Sequence, residues 1–136
     1  MSLEQELKKI QGKSKTLKPV RVVEVAKDPS HPLHNRFEWD DKKASHQYRI
    51  WQARDLIAKV YVQPFDNRPL QVRAFVSLPS DRVESGYRTI ESIMGNEDLK
   101  SEMLLDAKRQ FEILKMKYSV LNELDKIWEA VDRVFK

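Results

Sequence analysis

The chain of 136 residues contains no cysteine. Without thiols there is no disulfide framework and no zinc site built on thiolates, a composition that fits a reducing compartment. Glycine is scarce, with three in the whole chain, too few for the many tight turns of a sandwich or barrel. No apolar run approaches the length of about 18 residues that a membrane-spanning helix requires. Residues 1–6 lack the apolar core of an export signal, so a cytoplasmic location is expected. A Gly-rich phosphate loop, a Ser–His–Asp set with its elbow and a nucleophilic cysteine are all missing. The expectation is a non-enzymatic protein with no cofactor and no membrane partner.

What the chain does have is charge and apolar periodicity. It is 40% apolar and 34% charged, as in a helix-rich protein with well-solvated faces. Its length suits one domain plus a tail. The net charge is +4, and the whole excess sits in residues 1–21, where Lys8, Lys9, Lys13, Lys15, Lys18 and Arg21 face only Glu4 and Glu6. Leu3, Leu7 and Ile10 are spaced as in a short amphipathic helix, but nothing extends the pattern. Residues 1–18 therefore read as a flexible basic tail. Flexible lysines bind phosphates by counterion release with little sequence preference.

Residues 19–27 are valine-rich and could alternate as a strand. Pro19 is preset for a first helical turn, however, and Val20, Val23 and Ala26 then share a face, so a helix is favoured. Next comes the most distinctive stretch, residues 28–41, with Pro29, Pro32, His31, His34, Phe37 and Trp39. It reads as a clasp: prolines stiffen it and the two aromatics anchor it. His31, His34, Asn35 and Arg36 remain available for a partner. A metal site on His31 and His34 would have to cross Pro32 in irregular backbone, so His34 is expected instead to bond backbone and fix the loop.

Asp40 or Asp41 caps a helix running to about residue 59. Ala44, Tyr48, Trp51 and Asp55 form one line on it, and Ile50, Ala53, Ile57 and Val60 a second. So broad an apolar arc predicts a central, aromatic-rich helix buried beneath a sheet. The same helix carries Lys42, Lys43, Arg49, Arg54 and Lys59, interleaved with Tyr48 and Trp51. Lys42, His46 and Arg49 fall on one face and could extend the phosphate-binding surface of the tail.

Residues 59–64 and 70–78 alternate at period two and predict a β-hairpin. Its connector, Pro64-Phe65-Asp66-Asn67-Arg68-Pro69, is dense in turn formers. Two strands are marginal alone, so helices must cover them. A short helix over 87–94 ends at Gly95, and Asn96 caps a final helix over 97–134. The carboxylate pairs Asp40-Asp41 and Glu97-Asp98 fall at helix starts, where capping accounts for them. Ser85-Gly86-Tyr87-Arg88 reads as a helix-start turn whose amides, with Arg88, could hold an anion, although a simple turn is the favoured reading.

Along the last helix Leu104, Ala107, Phe111, Leu114, Tyr118, Leu121, Leu124, Trp128, Val131 and Phe135 make a heptad seam with one stammer. A continuous helix there would be roughly 57 Å long, far beyond the roughly 13 Å radius of gyration of such a domain. Either it breaks near Tyr118-Ser119 or it packs against a second copy. A homo-oligomer through a coiled coil is the expectation, and an intramolecular helical hairpin the alternative.

The block Asp28-Pro29-x-x-Pro32-Leu33-His34-x-x-Phe37-Glu38-Trp39-Asp40, followed by Ala44, Tyr48-Arg49 and Ala53-Arg54-x-Leu56-Ile57, resembles a family of small phage and prophage proteins of unknown function. The likeness extends through Val72-Arg73-Ala74-Phe75-Val76 and Gly86-Tyr87-Arg88, covering residues 17–95. It implies a phage or prophage setting in a bacterial host cytoplasm and no catalytic residues. It also implies a helical or helix-turn-helix-like region before the block. The expected fold is α+β: a central helix, a two-stranded antiparallel hairpin and a long C-terminal helix or helical hairpin. Two functions fit. One is nucleic-acid binding through Lys8, Lys9, Lys13, Lys15, Lys18, Arg21, Lys42 and Arg49. The other is a protein-interaction module acting on a replication, transcription or defence factor through His31, His34, Arg36 and Arg88.

Overall fold

A computed structural model describes residues 1–65 and 67–136. The fold is α+β, and the chain divides into two compact units, residues 1–51 and 52–136. That boundary replaces the one expected after residue 18.

In the first unit α1 spans Leu3–Gln11. The Ser2 hydroxyl accepts from the Gln5 amide at 3.2 Å, while the Gln5 side-chain oxygen accepts from the Ser2 amide at 2.8 Å. This reciprocal capping box satisfies two amides that would otherwise lack partners at the helix start. Glu4 and Glu6 in the first turn and Lys8 and Lys9 in the last complement the helix dipole. The helix stops at Gly12, whose φ of +57° only glycine adopts cheaply. Residues 1–18 thus hold a packed helix where a flexible tail was expected. α2 spans Pro19–Ala26 with proline in its first turn, as the sequence indicated, and packs on α1. Ala26, Leu33 and the carboxylate-bearing Glu6 are the buried residues of this unit.

Helix α3, Asp41–Ala58, crosses the boundary between the units. Asp40 is its cap, with Oδ1 accepting from the amides of Lys42 and Lys43 at 3.0 and 3.2 Å. The expectation that this helix is buried is overturned: none of its residues is buried, and Tyr48 and Trp51 are 59% and 57% exposed. Its apolar residues are spread around the helix instead of gathered into a stripe, so no one face favours burial.

In the second unit β1 (Tyr61–Val62) pairs antiparallel with β2 (Val72–Arg73), Tyr61 opposite Arg73 and Val62 opposite Val72. The expected hairpin is present but short, and residue 66 of its connector lies outside the described residues. The second apolar run then turns to a different partner. β3 (Phe75–Val76) pairs antiparallel with β4 (Arg88–Thr89), a strand the sequence reading had placed inside a helix. Ala74 links the two ladders, since its amide donates to the Val60 carbonyl at 2.8 Å and its carbonyl accepts from Ile90 at 2.9 Å.

Helix α4 is correspondingly shorter, Ile90–Met94, with the Thr89 hydroxyl as its cap. The Asn96 side chain caps α5, Glu97–Tyr118, accepting from Asp98 and Leu99 at 3.0 and 3.1 Å. The chain breaks at Ser119, passes a 3-10 turn and forms α6, Asp125–Val134. Phe111 meets Phe135 with ring centroids 6.2 Å apart, so α6 folds back along α5 as a helical hairpin. Ala74, Leu78, Ile90, Ile93 and Trp128 form the core of this unit.

Candidate nucleic-acid interface

The eight cations expected to contact phosphate all fall in the first unit, and all are exposed. Lys8 and Lys9 close α1, Lys13 and Lys15 stand in the connection, Lys18 precedes α2 and Arg21 lies on it. Lys42 and Arg49 lie on α3. Lys8 pairs with Glu4 at 2.6 Å and Arg21 approaches Glu24 at 3.9 Å. Both pairs are exposed, and such pairs contribute at most about 1 kcal/mol, so an incoming phosphate can displace them. The other six have no ion-pair partner among the described residues.

Where α1 meets α2 the chain forms a cleft of about 210 Å³ lined by Ser14, Thr16, Lys18 and Arg21, with Ile10, Gln11 and Leu17. Two cations and two hydroxyls converge there with no carboxylate among the lining residues. Arg21 offers a planar fork suited to phosphate oxygens and Lys18 a mobile point charge. The connection over residues 12–18 is longer than the three- to four-residue turn of a helix-turn-helix, so this is a cleft between helices and not that reading head.

On α3 Lys42, His46 and Arg49 share an exposed face at one-turn spacing, as expected. The aromatics do not join them. Tyr48 and Trp51 stack with centroids 5.9 Å apart, but at 100° per residue they project from the opposite side of the helix. Interleaving along the sequence is therefore separation in space, and the aromatics are exposed instead of buried in the core.

The residues expected to bind a partner are largely occupied. His34 Nδ1 lies 2.7 Å from the Ala26 carbonyl, and because a carbonyl only accepts, Nδ1 carries the proton. The Trp39 indole N–H donates to the His34 carbonyl at 2.7 Å, and its ring stacks on the imidazole at 5.0 Å. Phe37 leans against Trp39 from 5.6 Å. His31 Nδ1 accepts from the Leu33 amide at 3.1 Å, which places its proton on Nε2, 3.8 Å from buried Glu6. The two histidines thus build the clasp, and of the four residues expected to remain available only Asn35 and Arg36 are exposed. Asp28 begins it with a turn. Its carboxylate accepts from the Ser30 amide at 2.9 Å and hydroxyl at 2.8 Å, and these bonds hold its pKa below the usual carboxylate value.

Arg88 is likewise engaged: its Nε reaches both carboxylate oxygens of Asp81 at 3.0 Å. The turn before it leads into β4, not directly into a helix, so it is a simple turn and not an anion-holding helix start. Among the described residues no group of three or more His, Asp or Glu side chains is placed to hold a metal ion, and no helix is long and apolar enough to cross a membrane. Comparison of the chain with protein-family models, curated proteins and solved structures returned no match.

Proposed function

We propose that the chain is a non-enzymatic nucleic-acid-binding accessory protein that contacts phosphates through the cationic surface of its first 51 residues. The setting suggested by the block over residues 28–41 is a phage or prophage protein working in a bacterial cytoplasm. The observation that carries the reading is the partition of charge. The first unit has 11 Lys/Arg against 7 Asp/Glu, whereas the second has 14 of each. All the net positive charge therefore lies in the unit that also forms the Lys18–Arg21 cleft. Such a surface supports sequence-tolerant binding dominated by counterion release.

The test is fluorescence anisotropy with labelled single- and double-stranded 20-mers at about 50 and 200 mM salt. Binding should weaken steeply as salt rises, and Lys18→Ala with Arg21→Ala should lower the salt slope by about two, one for each lost phosphate contact. No binding at about 50 mM salt, where phosphate contacts are strongest, ends this reading.

The second reading, a protein-interaction module, is favoured by the apolar surface left bare on the α5–α6 hairpin. Met116 is 85% and Val134 72% exposed, and Ile113, Leu114 and Ile127 are exposed as well. A partner retained in a pull-down after nuclease treatment supports this reading over the first.

A further inference from the structure

Within the second unit a separate cleft of about 360 Å³ is lined by Arg54, Ser77, Arg82, Ser85 and Tyr87. Its lining residues carry two guanidinium groups and three hydroxyls, and none of them is acidic. Two carboxylates of the neighbouring turn and helix, Asp81 and Asp106, are already committed, while Glu84 of the same turn is exposed and does not line the cleft. Asp81 is bound through both oxygens to Arg88 and also accepts from the Leu78 amide. Asp106 is held by Arg82 at 3.1 Å and by Arg109 at 3.4 Å.

The donors of the cleft, by contrast, are in surplus. Arg82 uses only Nη2, toward the Ser77 carbonyl and Asp106, which leaves its Nε and Nη1 hydrogens without a partner among the described residues. Arg54 has neither an ion-pair nor a hydrogen-bond partner among the described residues. The same holds for the hydroxyls of Ser77, Ser85 and Tyr87. Ser85 also sits at φ +57°, the only non-glycine residue at positive φ among those described. This conformation is costly for a residue with a side chain. The turn enforces it: the Asp81 carbonyl accepts from Gly86 at 3.0 Å and the Arg82 carbonyl from Ser85 at 3.3 Å.

We propose that this cleft binds a phosphoryl group. Arg54 brings a positive charge with no ion-pair partner among the described residues, and Arg82, although paired with Asp106, keeps its Nε and Nη1 hydrogens for an anion. The available donors, two forks and three hydroxyls, exceed what a two-oxygen carboxylate can accept and suit the three or four oxygens of a phosphoryl group. The volume lies within the range of small-ligand sites, so it also admits part of whatever the phosphoryl group is attached to. The site is independent of the cationic surface of residues 1–51, and either can fail while the other stands.

The test is an NMR titration of the full chain with inorganic phosphate at constant ionic strength, followed through the Arg54 side-chain, Ser85 amide and Tyr87 ring signals. Saturable shifts at these three positions are expected. Arg54→Gln should weaken binding about tenfold, as for loss of a charge-assisted donor, and Tyr87→Phe by less, with unchanged circular dichroism. Two dinucleotides identify the source of the group. Binding of an unphosphorylated dinucleotide assigns the cleft to the diester backbone of a nucleic acid. Binding of only the 5′-phosphorylated form assigns it to a terminal monoester. Non-saturating shifts, an unaltered response in Arg54→Gln, or an equal response to acetate overturns the proposal.

Discussion

At the scale of single residues, the loop that opens on Asp28 is held by bonds that titrate. The Ser30 amide and hydroxyl both donate to Asp28, and both favour its ionised form. A carboxyl whose pKa is lower in the folded chain than in the unfolded one stabilises the fold at pH values above its ordinary value of about 3.9. That contribution is lost as pH falls through the lowered folded value. Ser30→Ala removes the hydroxyl donor but keeps the amide, the larger of the two causes. Its expected effect is a partial rise of the Asp28 pKa that still leaves it below the ordinary value. A carboxyl-carbon NMR titration of the two proteins measures this, and an Asp28 pKa unmoved by the substitution refutes the assignment. Residue chemistry was also the most legible level in the sequence. The reading of His34 as a ring bonded to backbone matches its contact with the Ala26 carbonyl. What the sequence could not show was that His31 is taken up as well, because its partner Glu6 lies 25 positions away on α1.

Secondary elements with local punctuation were found in the sequence and elements without it were not. Pro19 marked α2, Asp40 marked α3, and Gly95 with Asn96 marked the junction of α4 and α5. The capping pair Ser2 and Gln5 is equally local and would have identified α1, but the polarity of residues 1–18 outweighed it. Strand β4 has no such signal. It is two residues long and exists because the backbone of residues 75–76 offers it a partner, which is a long-range fact. The same dependence on partners misplaced α3, since apolar content predicts burial only where another surface is present to cover it. Asn96 gives a test of the capping argument. Its Oδ1 satisfies two amides at the head of the longest helix. Asn96→Ala should therefore destabilise the second unit by about 1 kcal/mol in denaturant unfolding, while Asn96→Asp, which keeps the acceptor, should cost less. Equal losses from the two substitutions count against a capping role.

For the whole molecule, the sequence left a 38-residue helix two outcomes, a break near Tyr118-Ser119 or packing against a second copy, and the helix does break after Tyr118. The fold-back is incomplete as cover. α6 buries Trp128 and brings Phe135 to Phe111, yet Ile127 and Val134 on the same helix stay exposed. A groove of about 540 Å³ runs between them, lined by Phe111, Ile127, Ala130, Val131, Val134 and Phe135, with Lys126 at its edge. We therefore propose that the hairpin pairs with a second copy of the chain, the homo-oligomer suggested by the heptad spacing. Burying a side chain such as valine or leucine contributes about 1.5–3 kcal/mol, so a few such residues from each copy suffice for association at micromolar concentration after the entropic cost of binding. Light scattering coupled to size exclusion should give a mass above 16.1 kDa that falls on dilution. Val134→Glu, at a position 72% exposed in the single chain, should return it to the monomer mass without loss of helix by circular dichroism. A monomer at every concentration refutes the pairing and leaves the bare hairpin to a different protein. A mass unaffected by Val134→Glu places the contact between copies elsewhere on the chain.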